Sequence, residues 1–225
     1  MKPFYQPKII TSALLAGLLA SLSPGAARAG DTIFVANNHD GTIGAYTTSG
    51  ATVNAALISG LNFAVGVAVS GSDLFLSNAV TIGEYTTSGA TVNAALISGL
   101  SGPGGIALSG SDLFVANGAT IGEYTTSGAT VNPALISGLS GPIGIALSGS
   151  DLFVANATSG TIGQYTTAGA PVNVPLISGL MNAPVGIAIS GSSVPEASTW
   201  AMALTGFAAL AFAGFRRAPS RAASA

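Results

Sequence analysis

The sequence predicts an all-β repeat domain, and three observations carry that prediction. One unit recurs four times, at 31–72, 73–111, 112–150 and 151–192, and the run YTTSGATVNAALISGL stands unchanged at 46–61 and 85–100. Each unit holds four short apolar or β-prone runs divided by clusters of Gly, Ser and Pro, with no helical period. A repeat of about 40 residues denotes supersecondary units that cannot bury their apolar faces alone and must stack on their own copies.

The third copy shows the elements in order. A short apolar run at 112–116 follows the turn cluster Ser-Gly-Ser. A second run at 120–126 sets Ile121, Glu123 and Thr125 in alternation with Gly122 and Tyr124. Ser127-Gly128 is a hairpin signal, after which 130–136 makes a third run; Gly141-Pro142 breaks the chain, and 143–147 is a fourth. Four strands per unit is the blade of a β-propeller, so residues 30–192 are expected to form a small four-bladed ring. An open β-solenoid, or half of an eight-bladed ring shared by two chains, would satisfy the same pattern. The ends of the array favour closure. The first copy lacks the Gly-Ile-Ala strand that precedes its run at 32–36, and the last copy ends with Val185-Gly186-Ile187-Ala188-Ile189, the strand that is missing. Inserted beside Ile33-Phe34-Val35, that strand would pair both open edges.

Charge narrows the function. All six cations, Lys2, Lys8, Arg28, Arg216, Arg217 and Arg221, lie outside the repeats. The repeats carry only acids: Asp31, Asp40, Asp73, Glu84, Asp112, Glu123 and Asp151. A domain without Lys or Arg cannot neutralise phosphates, which argues against nucleic acid as a partner. With no cysteine, neither disulfides nor thiolate metal sites hold the fold.

The two ends read as addresses. Residues 1–29 have a basic start at Lys2 and Lys8, an apolar run at 9–22 and the small-x-small site Ala27-Arg28-Ala29, the layout of a signal peptide that signal peptidase would cut after Ala29. Residues 198–215 carry no charge; as a helix they would extend about 27 Å, near the ~30 Å hydrocarbon core of a bilayer. Trp200 stands near the start and Arg216 and Arg217 follow directly, which places the repeats on the outer side of the membrane.

Residues 193–225 also carry a family resemblance. Val194-Pro195-Glu196-Ala197, then the apolar stretch, then Arg216-Arg217, resembles the three-part PEP-CTERM sorting signal, with Ala197 where that family has a second proline. The resemblance implies a Gram-negative exported protein that is held briefly in the inner membrane, processed by an exosortase-like transpeptidase, and released to the cell surface or matrix. Separately, 141–156 is similar to NHL-type propeller repeats. In those a Pro-x-Gly-Ile-Ala strand leads into one ending near an Asp; here Asn37, Asn78, Asn117 and Asn156 take that place.

Candidate binding residues come in fours. The four asparagines, or a set made of Asp31, Asp73, Asp112 and Asp151, could offer a hard cation a ring of oxygens. Turn chemistry explains the same residues without a ligand, and no cofactor or metal is expected. Tyr46, Tyr85, Tyr124 and Tyr165 recur at one blade position, where they would either stack on sugar rings of an exopolysaccharide or pack between blades. His39, the sole histidine, belongs to a loop beside Asp40. Catalysis needs chemically distinct groups in distinct roles, whereas repetition supplies the same group four times. The sequence therefore points to a non-enzymatic surface or matrix protein. A lactonase- or lyase-like propeller enzyme and a passive surface spacer are the other two readings.

Overall fold

The computed structural model describes residues 31–181 and 183–190, and among them it holds fifteen strands in four antiparallel sheets. The first sheet has three strands, β1 (Thr32–Asn37), β2 (Thr42–Thr47) and β3 (Thr52–Ile58). The second runs β4 (Val67–Ser70), β5 (Asp73–Asn78), β6 (Thr81–Thr86), β7 (Thr91–Ile97), and the third β8 (Pro103–Ser109), β9 (Asp112–Asn117), β10 (Thr120–Thr125), β11 (Thr130–Ile136). The fourth is β12 (Pro142–Ser148), β13 (Asp151–Asn156), β14 (Thr161–Thr166) and β15 (Pro171–Ile177). Each sheet is a meander in which strands adjacent in sequence are adjacent in space. These are propeller blades, as the period predicted.

Local chemistry explains each blade. Strand residues alternate between two covered faces, so the middle strands are apolar throughout; Leu113, Phe114, Val115 and Ala116 are all buried. The hairpin before each outer strand is a serine/threonine turn: the N–H of Ala129 donates to Thr125 Oγ1 at 3.0 Å, and Gly128 takes φ +86°. Each outer strand then bulges. Between Glu123↔Asn132 and Ile121↔Ile136 the register slips, and Asn132 Oδ1 accepts the N–H of Ala134 at 3.2 Å. The bulge leaves most of the outer strand in solvent, with Val53, Val92, Val131 and Val172 exposed. Pro142, read above as a breaker, opens β12, where a strand tolerates a missing N–H.

Three apolar clusters hold the blades together, one at each junction. Phe75, Ile82 and Ile97 of the second blade meet Ile106, Leu113 and Tyr124 of the third. Phe114, Ile121 and Ile136 repeat the pattern against Leu152, Val154 and Tyr165 of the fourth. The first blade meets the second through Ile43 and Ile58 on one side and Leu74, Leu76 and Tyr85 on the other. Along the inner rim, backbone lies against backbone. A Cβ on Gly105 would sit 2.5 Å from the carbonyl of Ile143, so only glycine admits this approach.

One expectation fails. Residues 185–189 form no strand and do not pair with Ile33, Phe34 or Val35; the first sheet ends at β1. Among the described residues no cluster joins the fourth blade to the first. Instead the carbonyl of Val185 lies over Gly144, as that of Ile143 lies over Gly105. Residues 183–190 therefore stand where a fifth inner strand would begin.

The signal peptide with Ala27 and Ala29, the tail with Val194, Pro195, Glu196 and Ala197, the apolar stretch 198–215, and Arg216 and Arg217 all lie outside the described residues. Among the described residues no helix is long and apolar enough to cross a membrane.

Candidate functional site

The fourfold sets resolve into structural roles. Asn78 Oδ1 accepts the N–H of Asn62, and Asn117 Oδ1 that of Ser101, each at 2.6 Å; both asparagines anchor the incoming connection of their blade. Asn37 and Asn156 precede loops two residues longer and instead donate to Thr42 Oγ1 and Thr161 Oγ1, at 3.2 and 3.5 Å. Turn and loop hydrogen bonds engage all four, although the buried Oδ1 of Asn156 has no hydrogen-bond partner among the described residues.

The acidic set does not exist as drawn from the sequence. Asp73 stands opposite Thr86 and Asp112 opposite Thr125, but the residue opposite Thr47 is Thr32, so Asp31 falls one position out of line. What the fold does bring together is a carboxyl pair within a blade. Glu84 shares a face with Asp73, and burial together with the Asp73 charge raises its pKa above the ordinary carboxylate value. Glu123 and Asp112 repeat this in the third blade. In the fourth, Gln164 replaces the glutamate and its amide donates to Asp151 Oδ2 at 3.1 Å. Two carboxyls do not make a cation cage, and among the described residues no three His, Cys, Asp or Glu side chains converge.

Tyr85, Tyr124 and Tyr165 are buried in the blade junctions, where burial also raises their phenol pKa values. Each ring lies over the glycine two residues earlier: a Cβ on Gly122 would come within 2.7 Å of Tyr124 Cε2. Such rings offer no face to a sugar. Packing is their role, and only Tyr46 is half-exposed.

A depression with a volume of about 490 Å³ opens on the first blade, lined by Asn38, His39, Asp40, Gly41, Leu61, Asn62 and Phe63. Phe63 is its unusual member. The second and third copies place Gly102 and Gly141 here, at φ +64° and +62°, because the chain turns through the left-handed region, and the fourth copy has the small Ala183 at φ +45°. Phe63 holds φ +55° and leaves 66% of its surface exposed. A bulky residue in that conformation costs about 1–3 kcal/mol, a strain that concentrates at functional positions. This site was missed in the sequence reading, although a signal was present: an aromatic residue stands where two sister copies keep glycine.

No family model matches the chain, and no curated protein matches it. Solved structures do match. A virginiamycin B lyase from Staphylococcus aureus superimposes with a TM-score of 0.57 at 21% identity, over 70% of this chain and 56% of its own. A streptogramin B lyase gives 0.58 at 23% over 72% and 56%, and a chain of a nidogen/laminin complex 0.59 at 19% over 69% and 64%. The fold is a β-propeller fold. At these identities the likeness extends to architecture alone, and the chain spans between about half and two thirds of the length of the structures it matches.

Proposed function

We propose that the chain is an exported, non-enzymatic protein of the bacterial surface or extracellular matrix, sorted by an exosortase-like system and contacting exopolysaccharide. The observation that carries the location is the three-part sequence of the tail: Val194-Pro195-Glu196-Ala197, the uncharged stretch 198–215, then Arg216-Arg217. The contact falls on the first-blade depression. An exposed aromatic ring flanked by the amides of Asn38 and Asn62 and the carboxylate of Asp40 is the chemistry that receives a sugar, stacking below and hydrogen bonding at the rim. With no cation in the repeats, a neutral glycan suits the surface better than an acidic one.

Mass spectrometry of the protein recovered from its native host tests the location. The expected species begins at Gly30 and ends within 194–197; intact chain retained in the inner membrane would sink the sorting proposal. A neutral-glycan array tests the contact, with Phe63→Gly expected to lose at least tenfold in affinity.

A lyase-like reading is the second one, favoured by the two lyases among the structural neighbours and by His39 and Asp40 in the same depression. It would require turnover that His39→Ala abolishes. Quinupristin, the compound bound in a further virginiamycin B lyase structure, is the first substrate to try.

A further inference from the structure

We propose that the two open ends of the array are halves of one junction, and that a second copy of this chain fills each, closing an eight-bladed ring from two chains. The basis is internal repetition. Every blade presents one face forward and another backward, and the three junctions within the chain show that these faces fit. The end blades present the same two faces with several of their apolar side chains uncovered, although Ala155 and Ile162 of the fourth blade are buried.

The forward face of the fourth blade is built as its sisters are. Phe75 and Phe114 are 1% exposed in their junctions, whereas Phe153, at the same position, is only partly buried. Ile177 is 47% exposed where Ile97 and Ile136 are each 4%. On the backward face of the first blade, Ile33 and Val35 are 46% and 38% exposed; their counterparts Leu113 and Val115 are fully buried. The hairpin contact is halved in the same way. A Cβ on Gly128 would strike Leu96, and one on Gly169 would strike Leu135, but Gly50 has nothing near it and Leu176 stands uncovered.

The inner strand completes the match. The first blade has three strands, and residues 186–190 repeat the Gly-Ile-Ala-Leu-Ser of the inner strands as Gly-Ile-Ala-Ile-Ser, directly after Val185, whose carbonyl lies over Gly144. In the fourth blade Ile145 pairs with Val154 and Leu147 with Leu152. Carried over, Ile187 of one copy pairs with Val35 of the other, and Ile189 with Ile33. Adding a strand to an exposed sheet edge satisfies backbone groups that an edge leaves open. Charge permits the approach, since the forward face of the fourth blade carries neutral Gln164 where the second and third carry Glu84 and Glu123, and its Asp151 is held by that amide. A head-to-tail contact of this kind closes when the rotation allows, and eight blades lie within the range of propellers.

The chain has no cysteine, so disulfide trapping is clean. Full-length chain in mild detergent, with Val35→Cys on one tagged preparation and Ile187→Cys on another, is mixed and oxidised. The expected product joins the two tags at twice the 21.8 kDa of one chain, and nothing larger forms. Native mass spectrometry of the unmodified chain should give the same dimer, which guards against a cysteine variant that misfolds. Val35→Asp should cut the dimer at least tenfold with its far-UV spectrum unchanged, because Val35 is already exposed in the single chain. Three results overturn the proposal. One is a monomer-sized cross-link in the Val35→Cys/Ile187→Cys double variant, which would mean that the chain's own strand closes a four-bladed ring. The others are a ladder of higher oligomers, and a single-chain mass with no cross-link.

Discussion

The junctions inside the array and the faces at its two ends are made of the same residues in different surroundings. Phe114 and Phe153 occupy equivalent strand positions, as do Val115 and Val35, yet one of each pair is buried and the other meets water. The difference lies in position along the array and not in composition. Repetition makes every blade face apolar, including end faces that no other described blade covers. A face of that kind, unlike a polar cap, leaves a repeat array dependent on a partner or prone to association.

That contrast predicts the largest effect. Phe114→Ala should cost about 3–5 kcal/mol in urea unfolding, the range for emptying a close-packed aromatic site. Phe153→Ala, measured dilute enough for the chain to be single, should cost only about 1–2 kcal/mol. Equal costs for both would mean that the fourth blade is covered after all. The glycines under the tyrosines sharpen the point. Gly122→Ala forces a Cβ to 2.7 Å from a ring that is 3% exposed and cannot swing away, an overpacking of about 1–3 kcal/mol. Gly44→Ala meets Tyr46 at the same distance, but that ring is half-exposed and can move outward, so the loss should be less than half as large. Paired melting curves of the two variants decide it.

How legible was this in the sequence? The strands were, almost to the residue: the expected runs 120–126 and 130–136 became Thr120–Thr125 and Thr130–Ile136. Period-2 patterning and turn residues are local signals, and four copies repeat each of them. Closure was not legible, because the turn from blade to blade depends on how Phe, Leu and Tyr fill a wedge, and no run of residues records an angle. The matching of 185–189 to 33–35 rested on strand order alone, which carries no record of distance, and the structure leaves the two segments unpaired. The acid ring failed for a smaller reason: Asp31 was aligned with Asp73, Asp112 and Asp151 by residue type, whereas register puts Thr32 opposite Thr47, where Asp73 stands opposite Thr86. Phe63 escaped because a single aromatic residue in a loop looks ordinary until its φ is known.

Phe63 and its glycine sisters extend the comparison between first and later blades. Phe63→Gly should raise stability by about 1 kcal/mol, since the left-handed conformation no longer strains a side chain, offset in part by the freer unfolded chain. Gly102→Phe, the reverse change in the third blade, should lose at least as much. A Phe63→Gly variant that melts lower than the parent would mean that the ring contributes packing at this site, and that its exposure does not mark a contact surface.

The smallest effect separates the second and third blades from the fourth. Glu84 and Glu123 have pKa values raised by burial and by Asp73 and Asp112, so as pH climbs past the ordinary carboxylate value the unfolded chain releases protons that the native chain retains. The native state then binds more protons, and stability, complete below that value, declines as pH rises through the raised native pKa values. The fourth blade is free of this loss, because Gln164 donates to Asp151 where a glutamate would repel it. Glu84→Gln combined with Glu123→Gln should therefore melt about a degree or two above the parent at pH 7 and level with it near pH 4. A gap of the same size at both pH values would assign the gain to hydrogen bonding alone and remove the carboxyl pairs as a source of pH dependence.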